Sequence, residues 1–591
     1  MASSGCFCTL NPECSTGNAT DTNTRRGGVS LGNLKYVNQT GNTMLGTMGV
    51  TSGKWYYEML IIDQNADNGM SVGWANEDFC LNAELGYNSP NSGGGGDSQA
   101  FGWYSQTNNL IYGPGNGGST YNKTWGGGTQ MTDGDILGVY LDADNGKFWA
   151  AKNGTVFNSG NAATGTGHGF GTGGSPHNIA MKLNRVLFPA IGNWSVADAT
   201  VYFNFGQDSS FGGNKSTGTA SAADGNGFGD FYYTPATGFN ALCSANQPCA
   251  TAVDPIESDA SPQNFFDIVT YTGNGTSQSI STLNFSPNWV LIKNRDQTDA
   301  WLAQNTITGV NTTKVWDTSA ATSTETDCIT SFDNNGFSIS NDHKVNANTE
   351  KYVAYCWKES ADVGFDIVSY SGNSSSTQAI SHGLGANPDA IIMASNTGSN
   401  VDTTLFINTP NAGTSYGVFP TLNNAQQTST YVSAISSSTF TVANAMNTDG
   451  RTYIAYVFRN IDGFQRFGEY RANGNDTSSN SANTGPTIFT GFRPKLVVAK
   501  TLDSTGNWQV FDSERPGKSG TTVVGNPHIN PLEWDTSDTE NSHGNGQYMD
   551  CEFFSNGFRM NDGNGAINHP GGNDYIYLAW ADVPFKFNNP F

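Results

Sequence analysis

Charge is scarce in this chain, and the basic residues are the scarcest. Of 591 residues 13% are charged, with 27 Lys and Arg against 50 Asp and Glu, a net charge of −23. No basic cluster occurs anywhere, so the cations that would displace phosphate counterions are missing and nucleic-acid binding is excluded. An anionic membrane surface would repel the chain. Long apolar runs are also missing: Trp289 to Ile292 and Ala390 to Ala394 are strand-length, far short of the ~20 residues that span a bilayer. Met1 to Ser15 has no basic stretch leading into an apolar one, so no export signal is expected and the chain is read as folding in a cytoplasm.

Catalytic vocabulary is thin as well. The seven histidines fall mainly in polar, Gly- or Asn-rich text, and neither HExxH, GxSxG nor a phosphate loop ending in Lys-Ser/Thr occurs. No carboxylate pair sits in a motif, so the expectation is a protein without catalysis and without a cofactor. The nine cysteines are odd in number and contain no CxxC pair. Cys6, Cys8 and Cys14 lack a fourth nearby ligand, so free thiols are favoured over a metal site or a cross-link. Cys243 and Cys249 could close a small loop under oxidising conditions.

What is plentiful is Gly, at 72 residues, and aromatics, at 12%, with Asn, Ser and Thr between aromatic and β-branched runs. That composition describes many short strands joined by tight turns. A length of 591 residues exceeds one core, and ~150 residues per domain suggests about four.

From Gly53 to Gln207 the segments alternate apolar and polar. Gly53-Lys54-Trp55-Tyr56-Tyr57-Glu58 opens a strand, followed by Val72-Gly73-Trp74, Gly134-Asp135-Ile136-Leu137-Gly138-Val139 and Leu141 to Phe148 with Lys152-Asn153-Gly154. Leu187-Phe188-Pro189-Ala190 and Phe203-Asn204-Phe205-Gly206-Gln207 close the set. Trp55, Tyr57 and Phe148 are expected in the core between two sheets, and Asp144-Asn145-Gly146 reads as a hairpin turn rather than a calcium loop, since the distal Glu is missing. This order resembles the SPRY (B30.2) domain over about residues 28 to 212. The resemblance implies a bent, concanavalin-like antiparallel sandwich that binds partners through loops at one end and does no catalysis. Gly-rich insertions at Asn91 to Asp97 and Thr164 to Ser175 depart from the pattern, so no partner surface carries over.

After residue 262 the text repeats. Phe266-Asp267-Ile268-Val269-Thr270-Tyr271 returns as Phe365-Asp366-Ile367-Val368-Ser369-Tyr370, and more loosely from Phe464. Each copy closes with an aromatic strand: Tyr352 to Trp357, Tyr453 to Phe458 and Tyr575 to Trp580. From Pro287 to Tyr352 and from Pro388 to Tyr453 is 65 residues; from Pro494 to Tyr575 is 81, so the third copy carries insertions, placed near 506 to 546.

The expected fold is therefore all-β: an N-terminal arm (1–27), a SPRY-like sandwich (28–212), a linker (213–262) and three antiparallel sandwich-type modules (263–361, 362–461, 462–591). This order of modules resembles structural proteins of tailed bacteriophages, especially marine ones. It implies a virion protein, made in a host cytoplasm and exposed on the particle, and a homo-oligomer whose partners are other virion proteins and a host-surface glycan or protein. Alternatives are a capsid decoration protein and a bacterial surface adhesin. Trp103, Tyr104 and Tyr112 are the candidate contact residues if their rings are exposed; the competing reading places them in the core.

Overall fold

The computed structural model describes residues 5–15, 28–37, 43–64, 70–76, 100–105, 109–113, 121–124, 130–169, 186–193, 199–216, 222–256, 259–398, 403–409, 411–472, 485–515, 530–540, 549–561, 565–570 and 572–587. The chain divides into two compact units, Met1–Gln247 and Pro248–Phe591.

The first unit is an antiparallel two-sheet sandwich. One sheet runs in the order Leu10–Ser15, Thr43–Gly46, Leu187–Asn193, Met70–Asn76, Ala100–Tyr104, Asn109–Gly113, Tyr121–Thr124. The other runs Thr155–Val156, Lys147–Lys152, Ile136–Asp142, Lys54–Asp63, Thr200–Asn204, Lys35–Val37, Gly28–Ser30. Tyr57 and Phe148 lie between the sheets as alternation requires. The Tyr57 ring meets Trp74 at 5.6 Å, its hydroxyl donates to the Gly73 carbonyl at 2.6 Å, and Phe148 meets Phe101 edge-on at 5.7 Å. The expected turn is present: Asp142 pairs with Lys147, and the Asp142 carboxylate accepts the Asn145 N–H at 3.0 Å.

Two expected boundaries fail. Residues 1–27 are not simply an arm, because Leu10–Ser15 pairs with Thr43–Gly46 as an edge strand of the first sheet. Nor is 213–262 a linker. Phe231, Phe239, Leu242 and Cys243 are fully buried, and three of them pack with Tyr56, Tyr140 and Trp149 on the outer face of the second sheet. Only from Pro248 does the chain pass to the second unit.

Glu58 pins that covering segment. One carboxylate oxygen accepts from Tyr56 Oη (2.9 Å) and Tyr233 N (2.7 Å), the other from Asn204 Nδ2 (3.2 Å) and Tyr232 N (2.9 Å). Burial pushes the carboxyl up to about 7 against the pull of these donors. Glu58→Gln is expected to cost about 2–4 kcal/mol, because in either orientation the amide nitrogen faces a backbone donor. Urea unfolding of the full chain would measure the loss; an unchanged midpoint would refute the role.

The second unit contains the same pair of sheets three times. The larger sheet begins, in each module, with first strand, closing strand, second strand, third strand. These are Phe266–Thr272, Lys351–Trp357, Trp289–Asn294 and Leu302–Asn305; then Phe365–Ser371, Thr452–Phe458, Ala390–Ser395 and Thr404–Ile407; then Gln465–Arg471, Asp574–Pro584, Phe492–Thr501 and Gln509–Asp512. A three-stranded sheet accompanies each: Gln278–Ile280, Gly336–Ile339 and Ile329–Asp333 in the first module, with counterparts in the others.

The closing strand is buried on both faces, and its two faces do different work. Tyr352, Ala354 and Cys356 pack inside the first module, whereas Val353, Tyr355 and Trp357 enter a core common to all three modules. Residues 453, 455 and 457 against 454, 456 and 458 repeat this division, as do 575, 577 and 579 against 576, 578 and 580. The modules are therefore not beads on a string; their large sheets face one another around one aromatic core.

Backbone bonds close the arrangement into a ring. Arg295, Asn396 and Leu502 occupy equivalent places, six residues past Trp289, Ala390 and Leu496, the second-strand residues paired with Trp357, Phe458 and Trp580. Their carbonyls accept from Glu540 N of the third module (3.1 Å), Thr322 N of the first (3.2 Å) and Gln426 N of the second (2.9 Å). Each module thus bonds to the next in a cycle.

Candidate functional site

The side chains that recur in all three modules are tyrosines and asparagines, which would suit ligand binding if exposed. The structure gives them a structural role. Tyr271, Tyr370 and Tyr470 on the first strands stack on Tyr352, Tyr453 and Tyr575 at 5.2, 5.0 and 5.0 Å. Their hydroxyls donate to the carbonyls of Val345, Met446 and Ile567. The second tyrosine of each pair donates to His343, Ala445 or Gly565 and accepts from Ala347 N, Thr448 N or His569 N. The next residue along, Asn346 or Asn447, accepts Asn274 N at 2.8 Å or Asn373 N at 3.0 Å. Gly273 and Gly372 precede these turns; a Cβ there would stand 2.1 Å from Ala347 O or 2.2 Å from Thr448 O, so no side chain fits. The repeated signature is a clasp that fixes each module's turn.

Polar residues without a threefold counterpart concentrate where the third module meets the first. Asp512 and Arg515 are both buried; Arg515 Nε donates to Asp512 at 2.6 Å, and Tyr355 Oη of the first module donates to the same carboxylate at 2.7 Å. Glu540 takes Arg515 Nη1 at 3.4 Å and Arg295 Nε of the first module at 2.9 Å. Burial alone would raise the Asp512 carboxyl; the Arg515 guanidinium outweighs it and holds the group below the ordinary carboxylate value. Lys293 is fully buried, donates to the carbonyls of Asn294, Gln297 and Ser537, and is drawn down to about 8 by desolvation. Lys500, its counterpart in the third module, is likewise drawn down to about 8. Trp-Asp-Thr-Ser at 316–319 and again at 534–537 accompanies these lysines in the first and third modules. It was a sequence signal available to be read, and the second module has Ala394 at the lysine position.

Among the described residues one group could hold a cation: Glu325, Asp327, Cys328 and Asp342 place their ligand atoms within 4.8 Å of one another. A side-chain ammonium already serves them, since Lys344 Nζ lies 3.4 Å from Asp342 and 3.8 Å from Glu325. The Cys328 thiol donates to Glu325 at 3.3 Å, and its burial raises it far from the thiolate form a soft metal needs.

The three aromatic candidates do not form an exposed patch. Trp103 is fully buried and its ring stacks on Phe157 at 6.4 Å, so it is a core residue. Tyr104, the next residue on that strand, is half-buried, and burial raises its hydroxyl. Tyr112 belongs to the neighbouring strand Asn109–Gly113; its side chain lies outside the described residues. Of the cysteine cluster, Cys6 and Cys8 are free thiols, with Cys8 buried and pushed up to about 12, and the Cys14 side chain lies outside the described residues. Cys243 and Cys249 are also free.

Comparison with known proteins adds a family. A family model described as a domain of unknown function, DUF7483, matches residues 261–584, more than half of the chain. The chain belongs to the DUF7483 family. The matched stretch takes in all three modules, so the DUF7483 region here is the whole ring rather than one repeat. No curated protein matches. Among solved structures, the SPRY domain of human HERC1 aligns at 16% identity and a TM-score of 0.22, over 33% of this chain and 96% of that one. The TRIM65 PSpry domain aligns at 14% identity and a TM-score of 0.21, over 33% and 88%. Among the described residues no helix is long and apolar enough to cross a membrane.

Proposed function

We propose that this DUF7483 protein is a non-enzymatic structural component of a tailed-phage virion, exposed on the particle as a tail fibre or receptor-binding appendage. Its partners would be other virion proteins and a glycan or protein of the host surface. The observation that carries this reading is the closed ring: three modules devote their repeated tyrosines and asparagines to clasps, and the tryptophans of the first and third modules, with Tyr456 and Phe458 of the second, fill one common core, an investment in rigidity. The order of modules, a sandwich followed by repeats with aromatic closing strands, is what points to phage appendages. The chain has neither heptads nor short β-helix repeats, which favours a compact appendage over a long shaft and keeps a capsid decoration role as the second reading.

Electron cryo-microscopy of intact particles, with this chain traced by side-chain density, tests the proposal. Density at the tail, together with at least a tenfold fall in phage adsorption when cells are preincubated with the purified protein, is the expected result. Density on the capsid would make it a decoration protein. Its recovery from bacterial surfaces without any particle would make it an adhesin, and release of reducing ends from host polysaccharide would make it an enzyme.

A further inference from the structure

The strand registers give each seam of the ring two equivalent positions, and their chemistry differs from seam to seam. One is the second residue of a module's first strand, opposite Cys356, Val457 or Ala579 of the closing strand: Asp267, Asp366 and Arg466. The other precedes the second-strand residue paired with Trp357, Phe458 or Trp580: Asn288, Asp389 and Lys495. Around the cycle the third-to-first seam therefore has Lys495 with Asp267, the first-to-second has Asn288 with Asp366, and the second-to-third has Asp389 with Arg466.

At the third-to-first seam the two side chains touch. Lys495 Nζ lies 2.5 Å from Asp267 Oδ1, and Glu514 Oε1 lies 3.2 Å from the same nitrogen. Lys495 is buried and Asp267 mostly so, while Glu514 is exposed. Asp267 Oδ1 also accepts Ile268 N at 2.8 Å. The third carboxylate is as particular to this seam as the lysine. Ser513 N, Thr306 N and Asn408 N donate to the carbonyls of Lys495, Asn288 and Asp389, so the next residue, Glu514, corresponds to Ile307 and Thr409.

A primary amine against a carboxyl group, with a second carboxylate to move protons, is the reactant set for an amide. Neither of the other seams has it: a guanidinium stays protonated and an asparagine amide is not basic. We propose that Lys495 and Asp267 condense to an isopeptide bond, with Glu514 as the proton carrier, and that this bond closes the ring covalently between its third and first modules. The chain modifies itself once, without turnover.

Desolvation pulls the Lys495 ammonium down, but Asp267 and then Glu514 outweigh it and hold it above its ordinary value, so the reaction starts from an ion pair. Glu514 carries two of the three ammonium protons to Asp267 Oδ2 in turn. The first transfer frees the nitrogen lone pair and neutralises the carboxyl. Nζ then attacks Cγ, while the Ile268 N–H steadies the charge that gathers on Oδ1. The second transfer, of the proton shed by the attacking nitrogen, turns Oδ2 into water, which leaves. One N–C bond forms, one C–O bond breaks, one water is released, and nothing is oxidised or reduced. Well-oriented intramolecular pairs reach effective molarities of about 10⁵–10⁸ M, far above the concentration of water that drives the reverse hydrolysis, so the amide is the stable product.

Intact mass spectrometry of the purified, denatured full chain tests the bond. The chain is expected to be about 18 Da lighter than its sequence requires, one water lost. Chymotrypsin, cutting after Phe266, Tyr271, Phe492 and Leu496, should then release a branched peptide that joins 267–271 to 493–496; this separates the cross-link from a cyclised aspartate, which also loses water but leaves the two peptides apart. Lys495→Arg keeps a cation beside Asp267 but cannot condense, so it should fold and show the full sequence mass. Glu514→Gln should slow the loss of water roughly a hundredfold, read as a time course in freshly purified chain. A full sequence mass in the unmodified chain after the spectrum stops changing, a water loss that maps elsewhere, or one that persists in Lys495→Arg overturns the proposal. An undiminished rate in Glu514→Gln overturns the role given to that residue.

Discussion

Replacing Trp289 by alanine is expected to destabilise the DUF7483 ring by about 3–5 kcal/mol, the range for emptying a large aromatic site in a packed core. Trp289 is fully buried and sandwiched, 4.2 Å from the Trp357 ring on one side and 4.2 Å from the Tyr456 ring on the other. Trp357 belongs to the first module and Tyr456 to the second, so one side chain fills the space between modules. Asn305 of the first module also donates to Tyr456 Oη at 3.1 Å, and loss of the neighbouring ring should loosen that bond. Urea unfolding followed by tryptophan fluorescence would report the loss, and Trp289→Phe should retain about half of the stabilisation. A cost below about 1 kcal/mol for the alanine variant would mean that the modules stand on their own cores, contrary to the shared-core account.

The second large effect is electrostatic. Asp512→Ala is expected to cost about 3–5 kcal/mol, because it leaves the buried Arg515 guanidinium without its closest carboxylate and the Tyr355 hydroxyl without an acceptor. Adding Arg515→Met to Asp512→Ala should recover more than half of that loss, since removing both charges removes the unpaired one. A double variant no better than the single one would show that packing alone is at stake. Asp512 is held below the ordinary carboxylate value of 3.8, so this seam's contribution is present at neutral pH and is lost as the pH falls below about 4. The third-to-first seam is therefore acid-sensitive.

Much of this fold could be read in the sequence, and the limits have physical reasons. Tyr352 to Trp357 and its two counterparts read as strands because aromatic and β-branched residues run together, and they are strands. The destination of their two faces was not legible. Apolar side chains at 352, 354 and 356 and at 353, 355 and 357 look alike, whether the second face meets a sheet of the same module or a neighbouring module. Ring closure is written instead in backbone bonds at Arg295, Asn396 and Leu502, where side-chain identity carries no signal. Residues 213–262 read as a linker from their Pro, Ala, Ser and Gly content; Phe231, Phe239 and Leu242 were the contrary cue, three large apolar groups that a solvated tether has no reason to carry. Trp103 failed as a contact residue because the strand's alternation turns it inward, where its apolar bulk is worth most. Glu58 was quoted only as part of a strand motif, since its four donors are assembled from segments up to 175 positions away.

The placement of charge around the ring has a topological explanation. The first module passes to the second through residues 358–364, and the second to the third through 459–464, so these seams are joined by short stretches of chain. Such tethers hold the partners at high effective concentration and leave little for ion pairs to add. The third module has no peptide connection back to the first. There the first and last stretches of the ring meet, with Lys586 3.2 Å from Asp254 and Gln263 donating to the Asp582 carbonyl at 2.6 Å. It is at this one untethered seam that Lys495 reaches Asp267 and Arg295 reaches Glu540. A pull on the two ends of the ring would load this seam directly and the tethered pair only after it had parted, so the ion pairs act as the latch of a clasped bracelet.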